Sequence, residues 1–177
     1  MSSAPLRRLT QEELNHTLRD LFVGIDLPFV ALNDGDPSRA VLFDGDVSRQ
    51  TPSDLAVEQV RTGTLAVAQA AIKRKDVLLE RSPSSPDDET AVGHDFINAF
   101  LPRALRRPAE ARETAAYTKL FDDNHAAHNF DVALVLTMQA VLQSPSFLYR
   151  IELGTAPANG AATTTLDSYE MASRLSY

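Results

Sequence analysis

Signals that start helices recur along the chain, and each precedes apolar residues spaced three or four positions apart. Residues 10–13, Thr-Gln-Glu-Glu, form a capping box, in which the Thr10 hydroxyl accepts from the Glu13 amide and the Glu13 carboxylate accepts from the Thr10 amide. Together with the 3.6-residue period, such signals predict an all-α chain. The predicted helices cover residues 11–22, 52–78, 94–105, 109–124 and 130–143.

Two residues interrupt these predicted helices. Gly63 is expected to weaken the second helix midway, because glycine is a poor helix former. Pro102 is expected to kink the third helix or end it early. The overall prediction is a set of helical, bundle-like domains with an irregular loop after the first helix.

That irregular loop is predicted for residues 25–50, which are rich in proline, glycine and asparagine. Two Asp-Gly-Asp tripeptides in it are typical of tight turns, and they also suggest a calcium site. The candidate metal ligands are Asp34, Asp36, Asp44 and Asp46. The EF-hand spacing is not met, because Arg39 and Arg49 stand where that loop needs glycine. Plain turns are the favoured interpretation.

Histidine and arginine pairs offer the remaining candidates. His125 and His128 would share one face of a helix and could seat a metal, but Asn129 resembles a helix cap and places them in an exposed turn. Arg106 and Arg107 follow an apolar helical face, so we expect a structural role in which they bind carboxylates or the carbonyls at a helix end. Anion binding by these arginines is the alternative.

Composition excludes several classes of function for this chain. There is no cysteine, which excludes disulfides, thiolate metal sites, cysteine nucleophiles and c-type haem attachment within it. The net charge of −7 is shared evenly: residues 1–80 carry 9 basic and 12 acidic groups, and residues 81–177 carry 8 and 12. Without a basic lobe, nucleic acid is not an expected partner. No apolar run predicts a transmembrane segment, and no signal peptide is visible, so the start read literally predicts a cytoplasmic chain.

Three stretches resemble the planctomycete-type (PSD-type) multidomain bacterial proteins of unknown function. Residues 6–21, LRRLTQEELNHTLRDL, resemble the opening domain of that family. Residues 100–108, FLPRALRRP, together with residues 139–152, QAVLQSPSFLYRIE, look like a second domain. Residues 166–177, LDSYEMASRLSY, are similar to the first helix of a third.

The resemblance implies three domains: residues 1–80, residues 93–154, and the truncated start of a third at residues 166–177. Family members are often associated with cytochrome c domains, so haem is implied elsewhere in the family and no cofactor is expected in this chain. Family members are usually exported, which implies a periplasmic or cell-surface location. The family offers no catalytic residues to carry over.

We therefore expect a non-catalytic helical scaffold or interaction segment, with the other domains of the parent protein as partners. One alternative is a fragment of a redox-linked enzyme whose active centre lies outside this sequence. Another is a calcium- or ligand-binding module that uses the Asp-rich loop 33–46. Residues 147–153 are expected to dock on the helices of 94–143, and residues 155–177 to be mobile or loosely attached.

Overall fold

A computed structural model describes residues 7–32, 53–150 and 166–175. The regular secondary structure in these ranges is helical except for one pair of short strands, which confirms the predicted all-α fold class. The helices are α1 Gln11–Leu21, α2 Asp54–Ile72, α3 Lys75–Leu78, α4 Glu89–Leu105, α5 Ala111–Ala127, α6 Phe130–Gln143, α7 Pro145–Leu148 and α8 Ser168–Leu175. The strands are β1 Arg7–Arg8 and β2 Tyr149–Arg150, and a 3-10 turn covers Pro86–Asp88.

The helices with the clearest capping signals match their predicted bounds. At the start of α1, Glu13 N donates to Thr10 Oγ1 over 3.2 Å and Thr10 N donates to Glu13 Oε2 over 2.8 Å. At the start of α6, Val132 N donates to Asn129 Oδ1 over 3.0 Å. Both helices begin and end within one residue of the prediction, because the signals that define them are local.

The second predicted helix, 52–78, is wrong in extent, because the chain breaks it at Lys73 and Arg74. Arg74 leaves the helical conformation, with φ −117° and ψ 50°, and α3 then makes a single turn. Gly63 does not interrupt α2. It lies where Val30 packs so closely that a β-carbon would collide with the valine methyl groups.

The third predicted helix begins earlier than expected, at Glu89 rather than residue 94, because the 3-10 turn before it leads directly into α4. Pro102 does not end α4, which continues to Leu105. The helix ends at Arg106, whose φ of 57° is left-handed, a conformation that usually selects glycine.

One hydrophobic cluster lies between the long helices α2, α4, α5 and α6. Helix α6 packs against the other three, and Leu134, Met138 and Val141 on it are fully buried. The cluster also takes residues from α1, such as Leu14 and Leu18. It therefore draws on both predicted domains, 1–80 and 93–154, whose boundaries stay a prediction.

The strands β1 and β2 pair antiparallel and join the beginning of the described chain to residue 150. Arg7 pairs with Arg150 and Arg8 with Tyr149, and Leu9 N donates to Leu148 O over 2.8 Å. Phe147, just before β2, is fully buried in the core cluster, so this part of the 147–153 segment docks as predicted. The rest of that segment lies outside the described residues.

Helix α8 begins with the expected cap. Glu170 N donates to Asp167 Oδ1 over 2.7 Å, and Asp167 N donates to Glu170 Oε2 over 2.8 Å. Loose attachment of the segment 155–177 stays a prediction, because its first part lies outside the described ranges. In the part of the chain that the structure describes, every helix is too short or too polar to cross a membrane.

Candidate functional site

A cavity of about 420 Å³ lies between the end of α1, the residues that follow α3, and α4. Three aromatic rings form its wall. Phe96 and Phe100 stack on α4 with centroids 5.1 Å apart, and Phe22 lies 5.6 Å from Phe100. A cavity of this size with aromatic walls is typical of small-ligand sites, which makes it the first candidate on shape alone.

The charged groups at this cavity hold its walls together. Arg103 Nη2, on α4, donates to the carbonyl of Leu21 at the end of α1 over 2.7 Å. Arg81 bridges two carboxylates, with Asp88 at 2.6 Å and Asp95 at 3.3 Å. Hydrogen bonds from Arg81, and then from the Ser84 amide, lower the pKa of Asp88 to about 2. Asp88 therefore stays an anion at physiological pH and closes the 82–88 turn.

Two histidine–carboxylate pairs tie α4 to α5. His94 Nε2 lies 2.7 Å from Asp122 Oδ1, and His125 Nε2 lies 2.8 Å from Glu89 Oε2. Both imidazole rings contact Phe121, which is fully buried between them. Each histidine is thus held by a carboxylate on the facing helix.

The placement of His125 corrects the prediction of an exposed turn. His125 lies inside α5 and is largely buried, whereas His128 is the residue that ends this helix. Within residues 7–32, 53–150 and 166–175, no three histidine, aspartate or glutamate side chains are grouped as a metal site requires. The acidic candidates Asp34, Asp36, Asp44 and Asp46 lie outside those ranges, so the calcium alternative stays a prediction.

Arg106 contacts the backbone of α7. Its Nη2 donates to the Phe147 carbonyl over 2.6 Å, and its guanidinium lies 5.5 Å from the centre of the Phe147 ring. This contact joins the end of α4 to the buried turn before β2. A contact to a carbonyl is of the kind predicted for Arg106, and its structural role stays a prediction.

Arg107 makes a two-pronged contact with Glu113 on α5, at 2.7 and 2.8 Å. That contact, with the Glu110 amide bond to the same carboxylate, lowers the pKa of Glu113 to about 2. Glu113 also completes the capping box of α5 with Glu110. A contact to a carboxylate is of the kind predicted for Arg107, and its structural role stays a prediction.

Sequence reasoning missed two polar groups that the fold buries. Asn15, in α1, donates to the Val30 carbonyl and accepts from the Val30 amide, both over 2.8 Å. Arg150, in β2, is 6% exposed and lies 3.7 Å from Glu13. Their partners are 15 and 137 residues away in sequence, beyond the reach of any local pattern. The only available signal was a polar residue among apolar ones.

Comparison with known families divides the chain into two matched regions. Residues 7–73 match the model PSD3, described as a protein of unknown function (DUF1587). Residues 93–152 match the model PSD5, also described as a protein of unknown function (DUF1595). No curated protein and no solved structure matches the chain. The bond from Arg103 to Leu21 therefore connects one matched region to the other.

Proposed function

We propose that this chain, which is similar over two regions to the planctomycete-type multidomain proteins of unknown function, is a non-catalytic helical scaffold or interaction segment. Its partners under this proposal are the other domains of the parent protein. The family resemblance also supports a place for that protein outside the cytoplasm. The association of the family with cytochrome c domains makes haem a cofactor of the wider assembly under the same proposal.

The observation that carries the proposal is the use of α4 arginines as ties between distant elements. Arg103 binds the Leu21 carbonyl 82 residues away, and Arg106 binds the Phe147 carbonyl 41 residues away. Charged hydrogen bonds to carbonyls at helix ends are among the stronger polar contacts in proteins. They connect the ends of α1 and α7 to α4.

Two histidines and a lysine also connect separate helices through polar contacts. His94 and His125 each use Nε2 on a carboxylate of the facing helix, and Lys75 Nζ binds Asp131 across α3 and α6 at 2.8 Å. Side chains of the types that catalyse reactions are here bonded between elements of the bundle. This arrangement favours rigidity, which is what a scaffold requires.

The test is a binding measurement between two halves of the parent protein. The remaining domains are produced as a separate polypeptide and titrated with this chain in a calorimeter. We expect a saturable complex and a higher melting temperature of the remaining domains in its presence. As a control, Leu134→Asp, which places a charge in the core, should abolish the complex. No heat of binding and an unchanged melting temperature would refute the proposal.

A further inference from the structure

A second cavity, about 110 Å³, lies between the end of α4, the β2 strand and the first turn of α8. Its lining carries side chains of both charges. Arg106, Arg107 and Arg150 come from the bundle, and Asp167 and Glu170 come from α8. The basic side belongs to the region that matches a family model, and the acidic side lies beyond it.

Contacts within the bundle hold the three arginines in place without any contribution from α8. Arg107 is fixed by Glu113, Arg106 by the Phe147 carbonyl, and Arg150 is buried beside Glu13. An array of guanidinium groups whose positions are already fixed loses little side-chain entropy when it meets a carboxylate. The bundle therefore positions these guanidinium groups in advance of any contact with a carboxylate.

Helix α8 does not hold itself to the bundle by its apolar residues. Met171 is 45% exposed and Leu175 is 80% exposed, and Tyr169, which reaches the cavity, is 51% exposed. Each of these side chains keeps about half or more of its surface in water, so the hydrophobic effect contributes less to the attachment of α8 than it does to a core helix. The acidic first turn is the part of α8 that lines the cavity.

We propose that the arginines lining this cavity attract the acidic first turn of α8, and that this attraction of opposite charges holds α8 beside the bundle. The attachment is reversible, because salt screens an attraction between charges at a partly solvated site. It leaves Met171 and Leu175 exposed while the helix stays near the bundle. The inference does not depend on the proposed scaffold function.

Hydrogen exchange of the α8 amides in the full chain tests this inference. The variant Asp167→Asn/Glu170→Gln removes both charges but keeps side chains that still cap the helix. We expect its α8 amides to exchange several-fold faster than those of the wild type at about 50 mM salt. We also expect the wild type to approach the variant at about 500 mM salt, where the Debye length is several-fold shorter.

A second variant separates docking from the intrinsic stability of α8. Arg107→Gln removes a positive charge from the cavity without touching α8, so it too should speed α8 exchange. If the loss of the two acidic charges acted only through the helix dipole of α8, Arg107→Gln would leave the exchange rate of the α8 amides unchanged. The control Glu12→Gln/Asp87→Asn removes two exposed charges elsewhere and should exchange like the wild type. The inference is overturned if wild-type α8 is unprotected at low salt, or if its protection survives both charge-removing variants.

Discussion

The Phe121 ring fills the space where a side chain on Gly93 would begin, since a β-carbon built there would overlap the Cζ, Cε1 and Cε2 atoms of the ring. This contact brings α4 and α5 close enough for the two histidine–carboxylate pairs on either side of the ring. Glycine at position 93 is therefore a packing requirement, although it lies in the middle of a helix, where alanine is usually better.

Gly93→Ala should lower the free energy of unfolding by about 1–3 kcal/mol, the usual cost of overpacking a tight core. Chemical denaturation monitored by circular dichroism would measure it. A second variant, Phe121→Leu, creates room at the contact. Adding Gly93→Ala to this variant should therefore lower the free energy of unfolding by less than the same change does in the wild type. Equal costs in the two backgrounds would show that the ring does not oppose the β-carbon.

Asn15→Ala should destabilise the chain by about 2–3 kcal/mol, because it leaves the buried Val30 amide and carbonyl without their side-chain bonds. Asn15→Asp keeps an acceptor for the Val30 amide but loses the donor to its carbonyl. It also places a charge at a position that is only 4% exposed. Asn15→Asp should therefore be no more stable than Asn15→Ala. Urea midpoints of the three proteins test this order, and a wild-type midpoint for either variant would contradict it.

Glu113→Gln should lower the melting temperature near neutral pH, and the difference from the wild type should shrink in acid. The folded-state pKa of Glu113 is lowered, mainly by Arg107, from 4.5 to about 2. The stability it contributes is therefore fully present above the unfolded value and is lost as pH falls toward 2. Melting curves of both proteins, recorded from neutral pH down to about pH 2, would measure how the difference in melting temperature changes. Glu12→Gln, an exposed control in α1, should show no comparable trend.

Phe147→Ala should cost about 3–5 kcal/mol, the range for removing a fully buried aromatic ring. It also removes the ring below the Arg106 guanidinium. Phe147→Leu keeps most of the apolar volume and should recover much of the loss. Calorimetric melting of both variants provides the comparison, and a wild-type melting temperature for the alanine variant would rule out docking of this segment on the core.

The parts of the fold that could be predicted from sequence are those fixed by neighbouring residues. The starts of α1 and α6 follow from Thr10, Glu13 and Asn129, whose partners lie three residues away. The break after α2 carries no such signal, since neither glycine nor proline stands at residues 73–75. A long-range contact accompanies the break, in which Lys75 at the start of α3 binds Asp131. Neighbouring residues do not encode a contact of this kind, so local helix propensity could not predict it.

The candidate site was harder to predict because its contacts join residues that are far apart in sequence. Arg106 was expected to be structural, but its left-handed φ was not, because arginine does not carry the signal that glycine would. The histidine pairs could not be predicted either, since their partners lie 28 and 36 residues away. Only the packing of α4 on α5 brings them together.

The pairing of β1 with β2 also sets an order of events during synthesis. Arg150 is made 143 residues after its strand partner Arg7. The first strand must wait for nearly the whole described chain before it can bond, and so must the bond from Leu9 to Leu148. Contacts of such long sequence separation form late, because the intervening loop must first be closed. The two strands can therefore pair only after residue 150 has left the ribosome.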